Sequence, residues 1–279
     1  MSQDINKEIQ IVINRFKSGD YNFVVNKSSI LLKKYPNNDL LWNLKGLSLQ
    51  TIGNIKDSIQ CFITSLNVNP KNIAAKNNLG NSYKYANQYD LALNCFEECI
   101  KIEPKYTASI VNLANLKVII NKFDEAINLY NKVMENDENI EKIYINLAQA
   151  YQSTKQFEKS LALIKKGIQK FPTQTKIDKL LSIQTNYLKD DTHLHEMISK
   201  LKNNLNDDQK INLNFAIGKA FEDKKNYSES FNHYQIGNNL KRQSLKFNIN
   251  DKVKLFNDIK EKFFDNKLSG KNISGTNKK

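Results

Sequence analysis

The side chains with the clearest chemical potential in this chain are amides that recur every 34 residues. Six of them form two columns with that constant spacing: Asn78, Asn112 and Asn146, and Asn81, Asn115 and Gln149. Each amide offers a hydrogen-bond donor and an acceptor, which matches the paired N–H and C=O groups of an extended peptide backbone. The columns predict a peptide-binding surface. Asparagine is about one residue in seven, so composition alone is the competing explanation.

Motifs that would support catalysis are present only in fragments. Residues 270–276 read GKNISGT, which has the glycine spacing of a phosphate-binding loop, but Thr276 stands where the essential lysine belongs. His193, His195 and Glu196 do not form an HExxH motif, and a His-x-His pair on one helix points to two different faces. The nucleophile elbow GxSxG does not occur. The sequence therefore predicts a chain that is not an enzyme and has no catalytic or cofactor-binding residues.

The cysteines indicate a reducing compartment. Cys61, Cys95 and Cys99 are odd in number and contain no CxxC pair, so neither a disulfide framework nor a zinc ribbon is indicated. Cys95 and Cys99 lie four apart on a predicted helix, but no third metal ligand is close in sequence. The N-terminus lacks the pattern of a signal peptide, and no stretch approaches the ~18 apolar residues of a membrane span. We therefore expect a cytoplasmic protein with no metal, no cofactor and no membrane partner.

The formal charge of +13 comes almost entirely from lysine, because Arg15 and Arg242 are the only arginines. Joint enrichment in lysine, asparagine and isoleucine is typical of a base-composition bias, and arginine is the residue that groove readout needs most. We therefore expect no nucleic-acid partner, and lysines that mainly cover a solvent face with weak attraction to acidic partners. Polyanion binding is the alternative, and it would weaken steeply with salt.

The prolines give the length of a repeat. Pro36, Pro70, Pro104 and Pro172 are separated by 34, 34 and 68 residues, so a 34-residue period skips one position, where Glu138 stands. Such a period is typical of stacked helix pairs, because a single pair cannot bury its apolar face. With each proline counted as position 32, position 1 of six consecutive frames falls at Ile5, Asp39, Ile73, Thr107, Glu141 and Thr175.

Within these frames the residue types predict helix, tight turn and helix. Positions 8 and 20 are mostly small, which lets the two helices of a pair approach closely. Gly19, Gly53 and Asn87 occupy position 15, where the backbone commonly enters the left-handed region as a helix stops. The proline then closes the second helix. The first helices of such an array line its concave side, which places the amides of positions 6 and 9 there.

This pattern resembles the tetratricopeptide repeat (TPR). The matching residues lie at its positions 4, 8, 24 and 32, and then at 7, 8, 11, 20, 24 and 32: Trp42, Gly46, Phe62 and Pro70, followed by Leu79, Gly80, Tyr83, Ala92, Phe96 and Pro104. The match covers residues 5–172. TPR proteins that are similar in the amide columns bind extended peptides. Position 5 carries Asn43 and Asn77 rather than the lysine of chaperone-tail binders, so recognition of a C-terminal carboxylate is not expected.

The predicted fold class is all-α, a right-handed TPR-type superhelical solenoid of about seven antiparallel helix pairs with a C-terminal helix. The predicted segments are five regular repeats (1–172), a degenerate repeat (173–208), a seventh repeat with an extended second helix (209–246), a C-terminal packing helix (247–264) and a flexible polar tail (265–279). The degenerate repeat has Asp191 where an aromatic residue belongs. The packing helix is predicted from Val253, Phe256, Ile259 and Phe263, which share one side of a helix.

A second resemblance concerns the C-terminal end. Residues 221–242, FEDKKNYSESFNHYQIGNNLKR, and the helix that follows resemble the junction between a TPR array and a sulfotransferase in bacterial fusion proteins. The resemblance covers about 211–279. It implies that a domain binding phosphoadenosine phosphosulfate (PAPS) through a PRSGT-type motif would follow Lys279. Residues 274–276, Ser-Gly-Thr, match part of that motif, but the preceding Pro-Arg and strand are lacking, so no catalytic residue is assigned.

Two functions follow from these patterns. The first is a noncatalytic scaffold that binds protein or peptide segments, acidic ones included, in its concave groove. The second is the substrate-binding arm of a PAPS-dependent sulfotransferase, with a catalytic domain, covalent or separate, beyond Lys279. The first is preferred because no residue set for making or breaking bonds is present. The reading frame after Lys279 would separate them.

Overall fold

The computed structural model of the chain describes residues 2–245 and 249–268, which form fifteen α-helices and no strand. In chain order these helices are α1 (Ser2–Lys17), α2 (Tyr21–Lys34), α3 (Asp39–Thr51), α4 (Ile55–Val68), α5 (Ile73–Tyr85), α6 (Tyr89–Ile102), α7 (Thr107–Ile119), α8 (Phe123–Asn136), α9 (Glu141–Ser153), α10 (Phe157–Lys170), α11 (Thr175–Gln184), α12 (Thr192–Leu201), α13 (Asp207–Asp223), α14 (Tyr227–Ser244) and α15 (Ile249–Leu268). They fall into two compact units, divided between Pro172 and Thr173 and called unit 1 and unit 2 below.

Unit 1 is an all-α, TPR-type solenoid of five helix pairs, α1/α2 to α9/α10, as the fold class predicts. The turn inside each pair has a left-handed residue at position 15. Gly19 and Gly53 have φ of 81° and 88°, and Asn87 has φ of 58°, as predicted. Asn121 and Lys155 adopt the same conformation with φ of 60°. Their repeats therefore hold the turn although a β-carbon makes this conformation costly.

The glycines at position 8 lie under an aromatic ring of the second helix. A β-carbon added to Gly46 would lie 2.7 Å from the Phe62 ring, and one added to Gly80 would lie 2.6 Å from Phe96. Both rings are fully buried. The residues of position 20, such as Ala92 and Ala126, are also fully buried. Close approach of the two helices is therefore fixed by small residues on one side and a ring on the other.

Second helices end just before the prolines, as predicted. In the α8 repeat, which has no proline, Glu138 stands at that position and forms ion pairs. The α8 helix ends at Asn136, and the carboxylate of Glu138 contacts Lys166 at 2.6 Å and Lys170 at 3.1 Å. These lysines belong to α10, the second helix of the next pair. The link between two repeats is thus tied by ion pairs at the position where a proline stands elsewhere.

Asparagine is abundant partly because it starts helices. The side chains of Asn38, Asn54 and Asn72 each accept a hydrogen bond from a backbone N–H in the first turn of the helix that follows. Asn206 and Asn226 do the same in unit 2. Such caps satisfy N–H groups that have no partner within the helix.

Unit 2 begins with two short helices, α11 and α12, joined by a longer connection. Asp191 stands where an aromatic was expected, and Tyr187 in the connection supplies that aromatic instead. Tyr187 is 1% exposed and belongs to a cluster with Leu194 and Met197. The α13/α14 pair then repeats the glycine-under-ring contact, with a β-carbon on Gly218 lying 2.8 Å from Tyr234.

The last helix differs from its prediction. It runs to Leu268, past the predicted end at 264, and the rest of the predicted tail, 269–279, lies outside the described residues. The apolar residues Val253, Phe256 and Ile259 are exposed, with Phe256 at 69%. The three side chains come from the set on which the packing helix was predicted, and amphipathicity shows which face of a helix is apolar but not what covers it.

Candidate peptide-binding surface

The six predicted amides lie on three successive first helices of unit 1. Each of α5, α7 and α9 contributes one amide at position 6 and one at position 9, which are neighbours on the same helix face. We call this set of six the amide ladder. Five members are partly buried, and Gln149 is exposed. The helices hold the amides at a regular spacing because every pair repeats the same internal packing.

The position 6 amides bond to the preceding repeat. Asn78 Nδ2 donates to Asn43 Oδ1 at 3.0 Å, and Asn112 Nδ2 donates to Asn77 Oδ1 at 2.9 Å. Both acceptors are buried asparagines at position 5, which the sequence columns show but which were not assigned to the site. These bonds join adjacent repeats through side chains alone.

The third bond of this series changes its acceptor. Position 5 of the α7 repeat is Val111, which offers no amide, so Asn146 Nδ2 donates to Asn115 Oδ1 at 2.9 Å instead. The same oxygen accepts a 2.6 Å hydrogen bond from the Tyr130 hydroxyl of α8. Burial raises the pKa of Tyr130 to about 12, so this hydroxyl stays protonated at neutral pH and can donate. Tyr130 is a site residue that sequence reasoning missed, although tyrosine instead of phenylalanine at position 24 was a signal.

These contacts change what the amide ladder can offer a ligand. The oxygen of Asn115 already accepts two hydrogen bonds, so its remaining capacity is the donor group. The oxygen of Asn81 accepts from Lys84 Nζ at 3.0 Å, which also leaves its N–H groups. Asn112 and Asn146 use a donor and retain their oxygens. Asn81 and Asn115 at position 9 are therefore biased toward donating, and Asn112 and Asn146 at position 6 toward accepting, a finer pattern than the predicted donor and acceptor at every amide.

A pocket of about 230 Å³ opens beside the last part of the amide ladder, between α7 and α9. Its lining combines three ladder amides with an aliphatic patch and hydroxyls: Asn115, Val118, Ile119, Tyr130, Asn146, Gln149, Ala150 and Ser153. Ile119 is half exposed. A concave site with an apolar wall and a few convergent polar groups is the usual form of a ligand-binding surface.

Buried ionisable groups in unit 2 form a separate network. Asp178 Oδ1 accepts from Lys200 Nζ at 2.7 Å and lies 3.2 Å from His193 Nε2. His193 Nδ1 lies 2.7 Å from the Tyr187 hydroxyl. Asp178 is fully buried, and its contacts with Lys200 and His193 join α11 to α12. His193 is thus a core residue, and His195 is exposed on the same helix.

The three cysteines are free thiols that are buried or partly buried. Burial raises the pKa of Cys95 to about 12 and raises that of Cys61 and of Cys99, which keeps the three as thiols. Within residues 2–245 and 249–268, no group of three histidine, cysteine or acidic side chains is placed to hold a metal ion. In the same part of the chain, no helix combines the length and apolar character that crossing a bilayer requires.

Comparison with protein-family models identifies the class to which this geometry belongs. Models of the tetratricopeptide repeat match residues 40–72, 73–106 and 120–182. The chain therefore contains tetratricopeptide repeats, as the sequence pattern predicts. No match reported by these models reaches residues 211–279, and nothing supports the resemblance of that segment to sulfotransferase fusions. A comparison with curated protein sequences gives no match.

Solved structures share the fold. A tetratricopeptide repeat protein from Parabacteroides merdae aligns with a TM-score of 0.64 and 15% identity, covering 88% of this chain and 94% of its own. The C-terminal part of a TPR protein from Cytophaga hutchinsonii aligns at 0.61 and 14%, covering 83% and 94%. Residues 41 to the end of MamA from Desulfovibrio magneticus RS-1 align at 0.55 and 15%, covering 61% and 96%. At these identities the similarity establishes the fold and nothing more.

Proposed function

We propose that this chain is a noncatalytic scaffold that binds extended protein segments along α5, α7 and α9. TPR arrays are protein-interaction modules, and their first helices form the extended concave surfaces that ligands occupy. The observation that carries the proposal is the placement of six amides and an aliphatic pocket on one face of three successive repeats. Main-chain groups of a ligand would bond to the amides, and side chains would enter the pocket.

The hydrogen-bonding groups that the amide ladder still has available determine how a ligand would bind. Donors of Asn81 and Asn115 suit the C=O groups of a ligand, and oxygens of Asn112 and Asn146 suit its N–H groups. Since Asn112, Asn115 and Asn146 are already fixed by bonds between neighbouring repeats, they lose little side-chain freedom on binding. We further propose a cytoplasmic location, which fits the three buried or partly buried free thiols.

The test starts from a displayed library of random twelve-residue linear peptides selected against the full chain. Gln149 is the cleanest ladder residue to change, because it is exposed and its replacement does not open the core. Gln149→Ala should weaken the selected peptides about ten-fold, equivalent to one lost hydrogen bond with a buried partner. Gln60→Ala is the matched control, since Gln60 is exposed on α4, a second helix.

Amide resonances of the ladder asparagines provide an independent readout by NMR. They should shift on addition of a selected peptide, while those of Asn94 on α6 should not. Selected peptides that bind equally well to Gln149→Ala and leave the ladder resonances unchanged would refute the proposal.

A further inference from the structure

Lys84 places a positive charge beside the amide ladder without a carboxylate to balance it. It lies in the last turn of α5, at position 12, and is partly buried. Its Nζ donates to Asn81 Oδ1 at 3.0 Å and lies 5.3 Å from the ring centre of Tyr85. Among the described residues no acidic side chain lies within ion-pair distance of it. Its environment therefore consists of a neutral amide and an aromatic ring.

Three other lysines of unit 1 that are buried or partly buried have a carboxylate partner, whereas the partly buried Lys45 lies 5.4 Å from the Trp42 ring centre and has no carboxylate of the described residues within ion-pair distance. Lys27 contacts Glu8 at 2.6 Å, and Lys76 contacts Glu98 at 2.6 Å. Lys117 contacts Glu125 at 2.7 Å. Removing an ammonium group from water is costly unless an anion replaces the lost solvation. At Lys84 burial lowers the pKa of the ammonium group, which is the sign expected when that compensation is missing.

The surroundings of Lys84 fit a carboxylate better than a peptide N–H. The oxygen of Asn81 is used by Lys84, so the pair presents one cation and the amide donors of Asn81. A carboxylate has two oxygens that accept hydrogen bonds and a charge that the lysine lacks. A neutral peptide group would leave the ammonium uncompensated.

The next repeat changes from polar to aliphatic at the same positions. Lys84 and Tyr85 occupy positions 12 and 13 of the α5 repeat, and Val118 and Ile119 occupy them in the α7 repeat. Val118 and Ile119 line the pocket of about 230 Å³, whose size suits one aliphatic side chain. The two features are one repeat apart, and α5 and α7 contact each other.

We propose that the occupant of the groove is an extended peptide segment with a carboxylate that binds Lys84 and Asn81 and an aliphatic side chain that enters the Val118 pocket. This rests on the proposed function and specifies its partner. Helix axes in contact are about 8–10 Å apart. An extended chain advances about 3.3 Å per residue, so the two side chains would stand two to four residues apart.

The experiment uses synthetic peptides of defined sequence and the full chain. N-acetylated, C-amidated peptides of serine and threonine carry one glutamate and one leucine two, three or four residues apart, in both orders. One spacing should bind tightest. Replacing its glutamate by glutamine should weaken binding about ten-fold, as should replacing its leucine by serine, since a charge-assisted bond and a buried aliphatic group are each worth that much.

The variant Lys84→Gln tests whether the carboxylate of the peptide binds at Lys84. It should weaken the glutamate peptide about ten-fold and should leave affinity for the glutamine peptide unchanged, so that the variant no longer distinguishes the two. Lys101→Gln is the matched control for general charge, because Lys101 is exposed on α6. Lys84→Gln should fold normally, since it removes a charge that no acidic side chain among the described residues balances. Circular dichroism of both variants checks this.

The outcomes separate this inference from the proposed function. Equal affinities for glutamate and glutamine peptides, equal effects of Lys84→Gln and Lys101→Gln, or no binding by any designed peptide would each overturn the inference. Library peptides that depend on Gln149 but not on Lys84 would do so while leaving the proposed function intact.

Discussion

At the scale of single residues, the molecule depends on a few positions where the side chain is fixed by its neighbour. Gly80 is required because a β-carbon would overlap the Phe96 ring, whereas Gly237 has its nearest potential contacts at 3.5 Å. His233 is confined between Asn214, whose Oδ1 lies 2.9 Å from its Nδ1, and the Phe221 ring. In each case the residue type follows from a contact across two helices, which a single helix pattern does not contain.

Substitution by alanine should change the free energy of unfolding in opposite directions at Gly80 and Gly237. Gly80→Ala forces the buried Phe96 ring to move, and we expect a net loss of about 1–2 kcal/mol after the gain in helix propensity is subtracted. Gly237→Ala meets ordinary contact distances, so we expect no loss and a gain of up to about 1 kcal/mol. Urea unfolding measures both. Partial recovery in Gly80→Ala with Phe96→Leu would identify the ring as the cause, and equal stability of the two alanine variants would contradict it.

His233 should make unit 2 less stable in mild acid. Burial lowers its pKa from the ordinary value of 6.5, so the unfolded chain binds a proton more readily than the folded one. Stability from this group is therefore complete above about pH 6.5 and decreases as the pH falls through the lower folded pKa. Urea unfolding followed by hydrogen exchange on α13 and α14 at pH 7 and pH 5 should show the decrease. His233→Gln should reduce the difference, and exposed His195→Gln should not.

At the scale of elements, adjacent helix pairs are joined by polar contacts in addition to apolar packing. Asn77 is buried on α5, and its oxygen accepts from Ser109 Oγ and Asn112 Nδ2 of α7, both at 2.9 Å. Gln50 of α3 similarly donates to Ser82 of α5 at 2.7 Å. Such contacts specify the register between repeats, because a shift would leave buried polar groups without partners.

Asn77→Ala tests how much the contact between Asn77 of α5 and the side chains of α7 stabilises the fold. It leaves the fully buried Ser109 hydroxyl without its acceptor, and we expect a loss of about 1–3 kcal/mol in the free energy of unfolding. Asn94→Ala, at an exposed site on α6, should change stability by less than about 0.5 kcal/mol. Asn77→Ala combined with Ser109→Ala should recover most of the loss. Unfolding of Asn77→Ala at the same urea concentration as Asn94→Ala would show that the contact does not matter.

The repeat frame allowed the helix pairs and turns of unit 1 to be predicted, because each pair meets the same surroundings and therefore repeats the same residue types. The asparagine bonds between repeats could not be predicted, since Asn43 and Asn77 look like surface residues until three helices are placed together. Tyr187 was missed for a related reason. It replaces an aromatic from a different position of the frame, so the periodicity that defines the repeat does not contain it.

At the scale of the whole molecule, four hydrophobic clusters of described residues can each be assigned to one of the two units. One cluster centred on Tyr130 and Leu147, another on Val24 and Leu41, and a third on Phe96 take all their members from unit 1. The cluster around Met197 takes its members from unit 2. In a repeat array stability is approximately a sum over repeats and the interfaces between neighbours. A division that leaves each cluster whole should therefore leave each unit folded.

We expect the fragment 1–172 to fold alone and to unfold cooperatively in urea, because the three unit 1 clusters named above lose no member. The fragment 1–155 is the control, since it removes α10 and uncovers Ile143, Leu147 and Ala148 of α9, which are buried in the full chain. Its α9 amides should exchange with solvent much faster than those of 1–172, by the loss of a neighbouring interface. Hydrogen exchange read by mass spectrometry compares them directly. Equal protection of α9 in both fragments would show that α10 does not stabilise α9. An unfolded fragment 1–172 would show that the stability of unit 1 depends on residues beyond Pro172.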